Sequence, residues 1–305
     1  MKYLALTSLA LIGAACSNET IPEPPTPDIA TSELAAPEQS TPQKISAVRP
    51  SQMEMYMLDC GRIEISDLDA FSSAGDYAGQ SDVYASTCWL IRHPEATLLW
   101  DLGLPSGLAG QDAQQNGVYT ITLERTLTEQ LAEIDLTPDS IDLISISHSH
   151  LDHTGQIDQF PNAKWLVHAD EYGAMFPETG PEAAEETPSP YINYSDLERE
   201  TFSGQYDVFG DGSVQIIPTP GHTPGHTSLW VDLQEMGPVL LSGDLYHRRE
   251  SRELRRVPRF NANEAETLTS MDKFEALAEQ SGARVIIQHE MADKGELPAF
   301  PEKMQ

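Results

Sequence analysis

The chain has 305 residues and is 39% hydrophobic, enough to bury a full core in one globular domain with some unfolded sequence beside it. It carries 18 Lys and Arg against 48 Asp and Glu, a net charge of −30. A field of that sign excludes general attraction to nucleic acid or to anionic lipid, and it favours solubility and neutral or cationic partners.

Residues 1–15 read as a secretory signal. Met1-Lys2 is followed by an apolar run from Tyr3 to Ile12, too short to span a bilayer, and then by the small residues Gly13, Ala14 and Ala15. Cys16 after two alanines resembles a bacterial lipobox, although Gly13 stands where an aliphatic residue is usual. The expected address is the bacterial cell envelope, lipid-anchored and facing the periplasm or the exterior. Plain secretion or a soluble periplasmic form is the alternative. Residues 16–50 hold seven prolines, several acids and few large apolar side chains, the composition of an extended tether that cannot bury enough surface to fold.

From Met53 the pattern changes, so that residues 51–305 are expected to form the folded domain. Met53 to Leu58, Val83 to Arg92 and Ala96 to Trp100 read as strands split by turn signals. Leu123, Leu127, Gln130, Leu131 and Ile134 have the spacing of an amphipathic helix that stops before Pro138, and Ala265 to Gln280 predicts another. Cys60 and Cys88 lie on or beside early strands; buried free thiols are the expected state, with a disulfide left open because sequence does not fix their separation.

The apolar run Ile141 to Ser147 leads into His148-Ser149-His150-Leu151-Asp152-His153. Three imidazoles and a carboxylate in six residues are costly to bury without a cation. Alternate residues of an extended loop project to one side, so His148 and His150 can share one ion while Asp152 and His153 turn toward a second. Further donors stand at three later positions: the turn Thr219 to His226, with His222 and His226; Asp244, after the strand-like Val239 to Leu241; and His289, after Arg284 to Gln288. His93 and His168 are expected to be ordinary hydrogen-bonded residues.

This order of motifs resembles the metallo-β-lactamase superfamily over roughly residues 53–301, with Leu99-Trp100-Asp101-Leu102-Gly103 matching its strand-end Asp-x-Gly element. The resemblance implies an α/β fold, a four-layer αβ/βα sandwich, and two Zn2+, with other divalent metals accepted by the same donors. It places His148, His150 and His222 on one ion, Asp152, His153 and His289 on the other, and Asp244 between them. Spacing alone would admit His226; the resemblance selects His222. It also implies that Asp101 orients a ligand histidine.

An aspartate at position 244 is unlike true β-lactamases, and the sixteen residues after His289 are too few for a helical substrate domain of the glyoxalase II kind. Leu58 to Gly61, Cys88 to Ile91 and Leu99 to Gly103 are most similar to the N-acyl homoserine lactonases. That implies lactone opening, a quorum-quenching activity, with Asp152 and Asp244 also passing a proton to the leaving alkoxide. Those lactonases carry a tyrosine three residues after the bridging aspartate. Here Tyr246 is two after and His247 three after, so both are candidates to polarise the substrate carbonyl.

Arg248, Arg249, Arg252, Arg255, Arg256 and Arg259 place six of the 18 basic residues within twelve positions. A salt-bridged surface is the expected explanation. The alternative is a clamp that would favour an anionic ester, a phosphodiester or sulfate ester, over a lactone. A metal-containing envelope protein that binds a partner with weak catalysis is the reading from another class. A small-molecule ester or lactone is the expected partner; the membrane enters only through the lipid anchor, and oligomeric state is open.

Overall fold

The computed structural model describes residues 52–177 and 190–305; the signal, Cys16 and the tether expected before residue 51 lie outside it. Alternation of apolar side chains along the strands builds the layers. The first sheet holds β1 (Glu54–Ile65), β2 (Asp82–Arg92), β3 (Thr97–Trp100), β4 (Gln114–Asn116), β5 (Tyr119–Thr122), β6 (Leu143–Ser145), β7 (Lys164–His168) and β8 (Arg199–Phe202), in the order β4-β5-β1-β2-β3-β6-β7-β8. The second holds β9 (Tyr206–Asp207), β10 (Val214–Pro218), β11 (Thr227–Leu233), β12 (Gly237–Leu241) and β13 (Arg284–Ile286), in the reverse of chain order.

Met55 and Met57 of β1, Trp89 and Ile91 of β2, and Leu98 and Trp100 of β3 pack against Leu229, Val231, Val239 and Leu241 of the second sheet, forming the core between sheets. The intervening Tyr56, Leu58, Leu90 and Leu99 face the opposite way, onto Leu127 and Leu131 of the helix Leu127–Ala132 and onto Met175 and Tyr194. Trp230 and Leu240 likewise turn outward to Met271, Phe274 and Ala278 of the helix Glu264–Ser281. Period-two alternation thus gives helices, sheet, sheet and helix in four layers, the expected sandwich. Each fully buried Leu or Ile contributes about 1.5–3 kcal/mol, which is why both faces of these strands are apolar.

The long helix, β2 and β3 lie within a residue of their expected bounds. The first strand does not: it continues past Leu58 to Ile65 through a bulge between Asp59 and Gly61. The β4–β5 hairpin has no counterpart in the sequence reading; its first strand, Gln-Gln-Asn, is polar and exposed and so shows no buried face to find.

Cys60 and Cys88 form a disulfide, correcting the expectation of free thiols. The two strands are neighbours, Leu58 opposite Cys88, and the bulge brings Cys60 to a Cα separation of 5.8 Å from Cys88. Pairing of the strands, invisible in sequence, decided the chemistry of the thiols.

Candidate metal centre

The histidine-rich segment lies where β6 ends and the short helix Leu151–Thr154 begins. His222 sits in the turn between β10 and β11, Asp244 in the 3-10 turn Gly243–Leu245 after β12, and His289 just past β13. Two close approaches hold these loops. Gly155 donates its N–H to Gly103 O at 2.8 Å, and a Cβ on Gly155 would strike the backbone of Gly103 to Pro105. A Cβ on Gly225 would strike Glu171.

The donors separate into two groups, His148, His150, His222 and Asp244 in one, Asp152, His153 and His289 in the other. His150 Nδ1 faces His148 Nε2 at 2.9 Å and His222 Nε2 at 3.1 Å. His153 Nε2 faces His289 Nε2 at 3.2 Å. Asp244 spans both groups: Oδ2 lies 3.5 and 3.3 Å from Nε2 of His148 and His222, and Oδ1 lies 3.2 and 3.0 Å from Nε2 of His153 and His289.

The outer ring nitrogens show whether this arrangement fits cations. His289 Nδ1 lies 2.7 Å from Ala85 O, which only accepts, and His153 Nδ1 lies 3.0 Å from Asp101 Oδ2. Both Nδ1 atoms therefore carry protons, so each ring in its neutral form would turn a lone pair on its Nε2 toward the centre. Asn261 donates to Gly221 O and Thr267 Oγ1, both at 2.8 Å, so its Oδ1 faces His222 Nδ1 at 3.1 Å and sets the same tautomer there. Inward lone pairs at such distances repel one another unless a cation lies between them. Asp244 Oδ1, buried and accepting no well-aligned hydrogen bond, is the oxygen such a cation would use. The residues fit two metal ions.

The electrostatics show how strongly the acids draw positive charge into the site. Burial pushes the His148 pKa well below the ordinary imidazole value and moves that of His150 down to about 4. Burial also opposes charge on His153 and His289, yet the acids outweigh it: Asp244 and Asp101 hold the His153 value well above the usual one, and Asp244 and Asp152 raise that of His289. For Asp152 and Asp244 burial favours the neutral acid, but surrounding histidines win and both carboxylates are held below their ordinary range, Asp244 far below. Buried carboxylates this strongly ionised call for compensating positive charge.

His226 lies beside the group without joining it. Its Nε2 accepts the Asp244 N–H at 2.9 Å and its Nδ1 lies 3.0 Å from Thr219 O, while burial moves its pKa down to about 3. It is a neutral support for the Asp244 turn, and His222 is the histidine that faces the other donors. Asp101 accepts the Ser147 N–H at 2.6 Å besides facing His153, and Gln288 donates to it at 2.8 Å.

Tyr246 is turned away, which corrects its candidacy as a substrate contact. Its hydroxyl donates to Glu275 at 2.8 Å and its ring packs on Phe274, because the backbone is extended at residue 246, just past the 3-10 turn, so that the neighbouring side chains of Tyr246 and His247 leave on opposite sides. His247 Nε2 stands 3.0 Å from Asp244 Oδ2, and burial moves its pKa down to about 4, leaving a neutral ring. All six arginines of the cluster meet acids: Arg248 with Asp82 and Glu250, Arg249 with Asp293 and Glu296, Arg252 with Glu275, Arg255 with Asp272, Arg256 with Asp76, Arg259 with Asp69. His93 stacks on Phe209 and meets Asp211, and His168 Nδ1 accepts the Asp170 N–H at its helix start.

Three supporting residues escaped the sequence reading. Glu171, 1% exposed, accepts from Ser149 N at 2.7 Å, Thr223 Oγ1 at 2.7 Å and Gly225 N at 3.0 Å, tying the two histidine loops together. Gln288 accepts the Gly243 N–H at 3.0 Å, and Asn261 orients His222. Position next to His289 was the one available hint for Gln288; Glu171 and Asn261 had none.

Beside the donors opens a cavity of about 300 Å³. Ile63, Ile65, Phe71, Tyr119, Ile121 and Phe260 make its apolar wall, and His150, Asp152, Asp244, His247 and His289 its polar end. Among the described residues no Lys or Arg lines it.

The family model described as the metallo-beta-lactamase superfamily matches residues 81–289. An N-acyl homoserine lactonase of Rhizobium radiobacter is 30% identical over 250 residues, covering 79% of this chain and 94% of that protein. One from Bacillus thuringiensis is 28% identical over 222 residues, 70% of this chain and 85% of that one. A solved N-acyl homoserine lactone hydrolase, with N-hexanoyl-L-homoserine bound at its catalytic metal centre, superimposes with a TM-score of 0.70 at 25% identity, covering 82% of this chain and 98% of that chain. Donor geometry, two-sheet fold and matched motifs converge: the chain belongs to the metallo-β-lactamase superfamily and is a metal-dependent hydrolase.

Proposed function

We propose that this chain opens the ring of N-acyl homoserine lactones with two zinc ions. The observation that carries the reading is a dinuclear donor set joined by Asp244 at the end of an apolar, unclamped cavity. His148, His150 and His222 would hold one ion, Asp152, His153 and His289 the other, with Asp244 between them. Five imidazoles with carboxylates suit zinc, although iron, manganese or cobalt bind the same donors. Bound there, such ions supply an activated water nucleophile at neutral pH and polarise a carbonyl.

The chain's own residues do the rest. Asp152, 21% exposed at the cavity edge, is held ionised by His153 and His289 and is placed to carry a proton to the leaving alkoxide. Neutral His247 has an N–H to share between Asp244 and an incoming carbonyl. The apolar wall suits an acyl chain, and the arginines, spent on acids, offer no clamp to an anionic ester. The lactonase names of the similar proteins support the same substrate class.

Export to the envelope is part of the proposal. The Cys60–Cys88 disulfide supports an oxidising compartment, and acylation of Cys16 would supply the anchor. Cys16→Ser should then move the protein from the membrane to the soluble fraction.

Elemental analysis should find roughly two metal ions per chain, and pH-stat titration should release one acid per ring from N-acyl homoserine lactones, ahead of a phosphodiester, a sulfate ester and a β-lactam. Preference for an anionic ester over every lactone would overturn the substrate; a metal-free active protein would overturn the whole reading.

A further inference from the structure

The cavity has a roof built by two segments that belong to neither sheet. Phe71 ends the 3-10 turn Leu68–Phe71, and Phe260 lies between the helices Arg249–Leu254 and Glu264–Ser281. Their rings meet edge to face at 5.3 Å. Phe71 stands 5.0 Å from the His247 ring, and Phe260 stands 5.9 Å from that of His222. Phe71 is buried, whereas Phe260 is 43% exposed at the mouth.

The bonds across these segments are polar and lie behind the roof. Ser73 N–H donates to Val257 O at 2.8 Å, and Arg259 N–H to Ala70 O at 2.9 Å. The Arg259 guanidinium pairs with Asp69 and donates from Nε to Ser72 O at 3.1 Å. Arg256 pairs with Asp76, and Ser73 Oγ donates to Glu264 at 2.9 Å. The acids are themselves held: Asp69 accepts the Tyr77 N–H at 3.1 Å and Asp76 accepts from Ser72 Oγ at 2.7 Å. Two of the six clustered arginines thus join residues 180 and 190 positions apart, in the two segments that carry the phenylalanines.

We propose that the pairs Arg256–Asp76 and Arg259–Asp69 form an ionic clasp that determines specificity for the apolar tail of the substrate, by holding Phe71 and Phe260 together over the cavity. The inference rests on the hydrolase reading for its substrate. The pairs are partly exposed, the arginines 30% and 51%, so their strength is modest and falls with salt. The metal-facing groups are buried and insulated from that screening. Loosening the clasp therefore changes binding of a long tail and leaves bond cleavage alone, and a tail too short to reach the roof does not sense it.

The test compares N-acetyl with N-decanoyl homoserine lactone for Arg256→Gln, Arg259→Gln, Asp69→Arg, Arg259→Asp and the charge-swapped pair Asp69→Arg with Arg259→Asp. Each single change should raise KM for the decanoyl substrate about fivefold, with kcat and the acetyl KM within about twofold, and the swapped pair should recover much of the loss. High salt should reproduce the singles in the unaltered protein. Hydrogen exchange of residues 66–80 and 255–264, measured without substrate, should rise together in the singles. Equal losses on both substrates, or unchanged decanoyl KM, overturns the specificity role; unchanged exchange overturns the clasp. If the unaltered protein cleaves neither lactone, the substrate reading fails, and the exchange data still decide the clasp.

Discussion

The two ends of the cavity are built on different principles. At the polar end most donors are buried beside strand ends and tight turns, and three have the outer ring nitrogen facing a second residue, as His153 to Asp101, His222 to Asn261 and His289 to Ala85 O. At the apolar end the roof stands on two loops joined by partly exposed ion pairs and a few backbone hydrogen bonds. Preorganised groups must not move when charge develops, whereas a wall that would take the differing tails of the proposed substrates has to yield. The contrast suggests that chemistry and specificity are separable in this chain.

The contrast should break most sharply at Asp244. Asp244→Asn removes one anionic oxygen from between the donor groups, so turnover should fall at least about 1000-fold on every lactone, short or long, with loss of bound metal and an unchanged circular dichroism spectrum. Phe260→Ala should instead cost only the long-tail substrate. Parallel kcat/KM series across acyl lengths decide the matter, and an Asp244→Asn loss confined to long tails would refute the division.

His247→Ala should cost between about 10-fold and 1000-fold in kcat, as losing one donor to a developing oxyanion does, whereas Tyr246→Phe should leave kcat unchanged and remove only its bond to Glu275, about 1 kcal/mol of stability. Equal kinetic damage from both would contradict the turned-away position of Tyr246.

Asp101→Asn should weaken metal binding about 10–100-fold while sparing the roof, because an amide oriented by the Ser147 N–H cannot hold the His153 tautomer as firmly. Competition with a chelator measures it. The disulfide supports the same end of the cavity from behind, since Leu104 N–H donates to Cys60 O at 3.1 Å. Cys60→Ala with Cys88→Ala should lower unfolding free energy by about 3.5 kcal/mol for a crosslink 28 residues apart. Denaturant titration should show that loss, with metal content retained at low denaturant.

The candidate metal donors were legible in the chain itself because they are local: a hexapeptide with three histidines, and acids or histidines directly after short apolar runs, mark strand ends whatever the topology. The apolar runs of β1 to β3 were legible for the same reason, each strand having two faces to bury. Choice between His222 and His226 came from family resemblance and was then seen as geometry, because both occupy one turn and only the packing shows which ring has both nitrogens spent. The Cys60–Cys88 bond, the reversal of Tyr246, the Glu171 tie and the pairing of Arg256 and Arg259 with Asp76 and Asp69 were decided by tertiary structure alone. Each depends on residues far apart in sequence, or on a bulge or the local backbone after a turn, and a pattern of side chains along one chain carries no record of which strand or loop will lie beside it.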